Sequence, residues 1–235
     1  VVPEQSSNDL WKSGMSWDYQ IHYSPASASL DADGIHNATY TVLGKEKVVD
    51  SFGYEKDSFL LRKNDEYHLE REKSYQWIDS ENLWPLKTYW EDDPSSSSYF
   101  QEGTLGWNLT NDQGDKANLF SSEGSLNLHF NRTNIIGVPG HPDGFDDTMN
   151  SVTVEERVIV DTPAGTFSTT YVSIVDSRDG IISWELWYND TVKNWVKKID
   201  RLPGSHADQV EYYLTSYHIP LIPQFITQDG TTYVS

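Results

Sequence analysis

From Met15 to Tyr217 the chain alternates apolar and polar side chains in short runs, and turn residues end most of those runs. A period of two sends successive side chains to opposite faces of an extended strand, whereas a helix needs apolar residues three and four apart. No convincing amphipathic helix interrupts the pattern, so the chain is committed to antiparallel strands joined by turns.

The sequence predicts Met15–Tyr23 as a first strand, followed by a small-residue loop and a turn at Asp31-Ala32-Asp33-Gly34. Ile35–Leu43 and Glu46–Tyr54 read as a hairpin about Gly44-Lys45, and Ser58–Lys63 with Glu66–Ile78 as a second about Asn64-Asp65. Leu83–Trp90, Tyr99–Leu109 and Ser125–Phe130 follow, with a polar turn at Thr110–Lys116. Gly137–Asn150 (GVPGHPDGFDDTMN) reads as a long loop. Val152–Val160 then turns through Thr162-Pro163-Ala164-Gly165 into Phe167–Val175, and Ile181–Tyr188, Trp195–Ile199 and Gln209–Tyr217 complete a meander.

The expected fold is all-β: a large curved antiparallel sheet of about ten to twelve strands, forming a sandwich or half-barrel, with little or no helix. Residues 1–10 read as an N-terminal arm, 11–218 as a single domain with a candidate internal boundary in loop 137–150, and 219–235 as a C-terminal arm.

Composition narrows the partners. With 36 acidic and 17 basic residues the formal net charge is -19, which repels phosphate backbones and anionic headgroups, so nucleic acid is not expected. No run of about 18 apolar residues occurs, so no membrane span is expected. Hydrophobic residues make up only 37%, yet nine Trp, 14 Tyr and eight Phe let few side chains build a core. The absence of Cys excludes a disulfide scaffold and a thiolate metal site.

Four Asn-x-Thr triplets, at Asn37, Asn108, Asn131 and Asn189, are acceptors for N-linked glycans in a chain that is exported. The opening Val1-Val2-Pro3-Glu4 lacks a basic-then-apolar leader and reads as a processed end. Together with the acidity and the missing Cys, these features lean towards a secreted, glycosylated protein of an archaeal cell surface.

Three stretches carry a resemblance. Trp11-Lys12-Ser13-Gly14-Met15-Ser16-Trp17-Asp18-Tyr19, Thr162-Pro163-Ala164-Gly165-Thr166-Phe167, and Trp184-Glu185-Leu186-Trp187-Tyr188 with Asn194-Trp195-Val196-Lys197-Lys198 resemble archaeal secreted envelope proteins related to the DUF3108 group. The similarity spans about half the chain, mainly 11–19 and 152–217, and implies a strongly curved sheet like that of the lipoprotein-carrier half-barrels. There is no Cys to lipidate and no helical plug, and 91–150 has no counterpart in that pattern.

Chemistry-bearing groups are sparse. Asp143, Asp146 and Asp147 in the 137–150 loop, and Asp31 with Asp33, are candidate calcium ligands, since calcium takes six to eight oxygens from Asp-rich loops. Calcium is the one cofactor the sequence raises, against solvated acidic loops as the plainer reading. Seven His show neither an HxH nor an HExxH spacing, and there is no GxSxG elbow and no Cys nucleophile. Carboxylates are too common to single out a glycosidase pair, so no enzyme is expected.

Glu156 shares a strand face with Val152, Val154, Val158 and Val160, where a buried carboxylate would need a partner; a ligand contact, a strand bulge or a nearby cation would each answer this. Trp184 and Tyr188 read as core, and Trp187 on the opposite face with Glu185 as an outward contact. The proline-interrupted tail containing Leu221, Ile222, Phe225 and Ile226 reads either as docked on its own domain or as a strand added to a neighbour. The leading expectation is a structural subunit of a surface layer or extracellular filament, self-assembled through sheet edges and terminal arms. The alternative is an envelope binding module that holds a lipid or other apolar ligand on a curved aromatic sheet.

Overall fold

The computed structural model describes residues 10–24, 34–65, 72–91, 101–111, 113–117, 124–136, 145–176, 180–201, 209–220, 225–228 and 231–234. Twelve strands form one antiparallel sheet that closes on itself. They are β1 (Ser16–Ser24), β2 (Ile35–Val49), β3 (Glu55–Asp65), β4 (Glu72–Asp79), β5 (Pro85–Glu91), β6 (Gln101–Thr110), β7 (Gly124–Ile136), β8 (Phe145–Thr162), β9 (Gly165–Asp176), β10 (Ile182–Asn189), β11 (Asn194–Arg201) and β12 (Gln209–His218). Each strand bonds to the next in sequence, and β1 also bonds to β12, with Trp17 opposite Tyr217 and Tyr23 opposite Val210. The curved all-β sheet expected from the sequence is therefore present, and its curvature continues past a half-barrel to a ring. A separate hairpin, β13 (Phe225–Gln228) with β14 (Thr231–Val234), follows in the tail, which the period-two reading did not resolve.

Several details differ from the sequence expectation. Asn64-Asp65 is not a turn, because β3 runs through to Asp65, which pairs with Glu72. Gly44-Lys45 is not a turn: β2 runs straight through, with a bulge between Val42 and Gly44. The actual turn lies at Asp50–Tyr54, where Asp50 Oδ1 accepts from the Phe52 and Tyr54 amides at 3.0 and 2.9 Å. The Gly137–Asn150 loop is shorter than expected, because β8 already begins at Phe145. Glu156 is exposed: a bulge between Glu155 and Val158, with Arg157 at φ 62°, rotates it out of the face it would otherwise share. The bulge displaces Glu156 alone from the inner set: Val160 beyond it packs inward, as Val152 and Val154 do before it, and Ile159 points out, so parity fails within the bulge.

Alternation along β1 buries Trp17, Tyr19 and Ile21 inside the ring and leaves Asp18, Gln20 and His22 on its outer wall. Outward charges recur at Arg62, Glu155 and Lys197, the reverse of the apolar outer band of a membrane barrel. Among the described residues no helix is long and apolar enough to cross a membrane.

Among the described residues the interior holds two hydrophobic clusters. One gathers Trp11, Trp17, Phe59, Val42, Val192 and Leu214; the other Trp84, Leu126, Leu128, Val152, Val172 and Leu186. The ends of the ring differ. At one end, the turn end, lie the turns at 50–54, 80–84 and 190–193; the other, the loop end, is where β1, β5 and β11 finish and β2, β6 and β12 begin.

The turn end is plugged from within. Trp17 Nε1 donates to the Val192 carbonyl at 2.9 Å and Trp11 Nε1 to that of Lys193, tying the first strand to the β10–β11 turn. The tip of the β8–β9 hairpin crosses to β12, where the Ala164 amide donates to the Leu214 carbonyl at 3.0 Å. Val160, Ala164 and Phe167 pack there against the first cluster. The Thr162–Phe167 segment is thus both a turn and a stopper.

Candidate ligand cavity

Between the two clusters the packing is incomplete and leaves a cavity of about 370 Å³. Its lining passes from Trp11, Leu83 and Trp84 at the turn end to Lys63, Ser74 and Asp200 towards the loop end. Inward parity explains most of the wall. β1 supplies Tyr19, β2 Tyr40, β3 Leu61 and Lys63, β4 Ser74, Gln76 and Ile78, and β12 Tyr212. β10 and β11 contribute Trp184, Leu186, Asn194, Trp195, Lys198 and Asp200. A bulge in the β10–β11 ladder, where Tyr188 opposes Trp195 but Trp187 opposes Lys197, lets both Trp195 and Lys198 face inward.

The apolar part of the wall is aromatic and held by hydrogen bonds. Tyr19 donates to the Trp195 carbonyl at 2.6 Å, and its ring meets Tyr40 edge-on at 5.5 Å. Trp84 packs edge-on against Trp107 at 4.6 Å, and Trp107 lies 5.4 Å from Trp184. Leu83 takes a left-handed φ of 55°, an unusual conformation for Leu, in the turn organised by Asp79, whose Oδ1 accepts from the Glu81 and Asn82 amides.

The polar part consists of two ion pairs. Lys63 pairs with Asp65, whose other oxygen lies 3.1 Å from His36 Nε2; His36 in turn stacks on Tyr23 at 5.2 Å. Lys198 lies 3.2 Å from Asp200, whose Oδ1 accepts from Trp184 Nε1 at 2.6 Å. Both ammonium groups also lie over aromatic faces: Lys63 is 5.9 Å from the Tyr40 ring, and Lys198 is 5.2 Å from Tyr212 and 5.7 Å from Trp184.

These surroundings set the charge states. Burial alone would raise the Asp65 carboxyl, but the bond with His36 and the Lys63 charge outweigh it and hold Asp65 below its usual value. Burial likewise works against the Lys63 ammonium, and the acidic groups around it, Tyr212 and Asp65 foremost, outweigh this and raise its pKa. Burial pushes the Tyr19, Tyr40 and Tyr212 hydroxyls upward, so all three remain protonated hydrogen-bond donors at neutral pH.

The residues singled out in the sequence lie elsewhere. Asn37 and Asn108 are exposed on β2 and β6. Asn131 sits on β7 opposite Asp147, where the backbone alone is described. Asn189 caps the β10–β11 turn: its Oδ1 accepts from the Thr191 and Val192 amides and its Nδ2 donates to the Ser168 carbonyl at 2.9 Å, so the amide of this candidate glycan acceptor already serves the fold.

Asp146 and Asp147 are not in a loop. They are successive residues of β8, paired with Arg132 and Asn131. Asp31, Asp33 and Asp143 lie outside the described residues, as do Leu221 and Ile222. Among the described residues no group of three or more His, Asp or Glu is placed to hold a metal. Phe225 and Ile226 belong to β13, opposite Val234 and Tyr233. Trp187 faces outward on β10, with Tyr171 at 4.9 Å and the Lys197 ammonium 4.9 Å from its ring.

Sequence reasoning passed over Lys63, Lys198, Asp200, Tyr40 and Tyr212. Lys63 was within reach, since it shares parity with Phe59 and Leu61 on an unbulged stretch of β3. Lys198 and Asp200 were not, because the bulge at Val196 reverses the count. Comparison of the chain with protein-family models, with curated proteins and with solved structures returned no match.

Proposed function

We propose that this protein is a binding module that holds a small ligand inside its barrel, and that it works outside the cell without catalysis. The observation that carries this reading is the cavity itself. A volume of about 370 Å³ lies in the range of small-molecule sites, and an aromatic wall with a few convergent polar groups is the usual composition of such sites. The plug at the turn end and the ordered tryptophan wall give the cavity a fixed shape, which lowers the entropic cost of binding. The likeness of three segments to envelope proteins with curved carrier sheets favours the same reading, as does the exposure of Asn37 and Asn108 for an exported, glycosylated chain.

The test is native mass spectrometry of the protein from its source cells, followed by titration with small apolar and amphiphilic compounds under tryptophan fluorescence. A retained mass or a saturable change in fluorescence is expected. A protein that carries nothing and responds to nothing removes the proposal.

A second reading, a self-assembling structural subunit of a surface layer or filament, draws on one observation. The barrel strands are paired around the ring, which leaves them little edge to offer, but β13 and β14 form a two-stranded sheet whose outer edges have no strand partner among the described residues. That hairpin, with Phe225 and Ile226, is where copies would join. Sedimentation of the full chain against one ending at Pro220 distinguishes the two readings, since only assembly through the hairpin is lost on truncation.

A further inference from the structure

The cavity has an imbalance of donors and acceptors. Its carboxylates are already engaged: Asp200 accepts from Trp184 Nε1 on one oxygen and faces Lys198 with the other, while Asp65, behind the wall, faces His36 and Lys63. Its donors are not. An ammonium carries three N–H bonds, and Lys63 and Lys198 each have one oxygen partner among the described residues, their other close neighbours being ring faces. The Tyr40 and Tyr212 hydroxyls also belong to this lining.

The two ammonium groups act on one region. Lys63 lies over Tyr40 and Lys198 over Tyr212, and all four side chains line the same cavity. In a chain of net charge -19, two lysines turned into an aromatic interior stand out against the acidic whole. A site short of acceptors and rich in charged donors is completed by an oxyanion. The volume sets the rest, since about 370 Å³ is at the small end of ligand cavities and admits a single short chain or ring system, not a two-chain lipid.

We propose, resting on the binding-module reading, that the ligand is a small anionic amphiphile. Its oxyanion is held by Lys63 and Lys198, with the Tyr40 and Tyr212 hydroxyls as further donors, and its apolar part lies along Trp11, Trp84 and Trp195. Asp65 and Asp200 hold the lysines in place and keep the empty site neutral.

The test is a calorimetric titration of the full chain with decanoate, decan-1-ol and decyltrimethylammonium at neutral pH. Decanoate is expected to bind about tenfold or more tighter than decanol, with the cation weakest. Decanol binding as well as decanoate, or the cation binding best, overturns the anionic assignment while leaving a binding module in place. No heat from any of the three removes both. The variants Lys198→Met, which leaves Asp200 bonded to Trp184, and Lys63→Met with Asp65→Asn, which strands no buried charge, are then compared with the wild type. Each is expected to lose about tenfold on decanoate with decanol unchanged. An unaltered decanoate-to-decanol ratio in both overturns the assignment. If the double variant does not fold, Lys198→Met and the wild-type series still decide.

Discussion

The two ends of the barrel use the same kinds of residue for opposite purposes. At the turn end, Trp17 and Trp11 donate their N–H groups to the main-chain carbonyls of Val192 and Lys193, and the apolar bodies are packed shut by Val160, Ala164 and Phe167. Towards the loop end, Trp184 spends its N–H on a carboxylate, and tyrosines and lysines face space. A hydrogen bond to a fixed carbonyl contributes rigidity and nothing else; one to Asp200 also aims Lys198. The comparison separates the part of the ring that holds the shape from the part proposed to bind.

The variant expected to break this contrast most severely is Trp17→Ala. Trp17 is fully buried and tethers β1 to the β10–β11 turn. Its truncation leaves a large void and is expected to cost about 3–5 kcal/mol in urea unfolding.

Next is Asp65→Ala, which leaves the Lys63 ammonium without its carboxylate in a nearly buried position and is expected to cost about 3 kcal/mol. The double variant Lys63→Met with Asp65→Leu is expected to restore most of that, within about 1 kcal/mol of wild type, because the pair recovers little more than its own desolvation. A double variant as unstable as the single one would mean that the charges support the fold rather than the site.

A smaller effect follows from pH. The folded Asp65 pKa lies below its ordinary 3.8, so its contribution is fully present above the unfolded value and is lost as pH falls through the folded one. Between pH 6 and pH 3, wild type is therefore expected to lose more stability in urea than Asp65→Asn, which lacks this dependence. The smallest effect is that of Lys198→Met on stability, under about 1 kcal/mol, because its pair with Asp200 is about 30% exposed and screened by water.

The strands were legible in the sequence because alternation is a local property, and the meander from 152 to 217 was the clearest part of it. Closure was not, since nothing in the sequence of β1 or β12 states that they meet. The faces of Trp184, Leu186 and Tyr188 were read correctly from parity; those of Glu156 and Lys198 required knowledge of the bulges at 155–158 and 196. A bulge is stabilised by contacts outside its own strand, so alternation carries no sign of it. The cavity was least legible of all, because an interior void is a property of twelve strands together.

The seam between β1 and β12 has a consequence in time. It joins Trp17 to Tyr217, two residues separated by nearly the whole barrel sequence, and pairings of such separation form late and slowly. A chain extended as far as β11 has no partner for the outer edge of β1, and Tyr212 is missing from the cavity wall. Until the last strand docks, the sheet is an open ribbon with two adhesive edges and no chamber. A ligand of the kind proposed, by binding only the finished ring, would act as its latch.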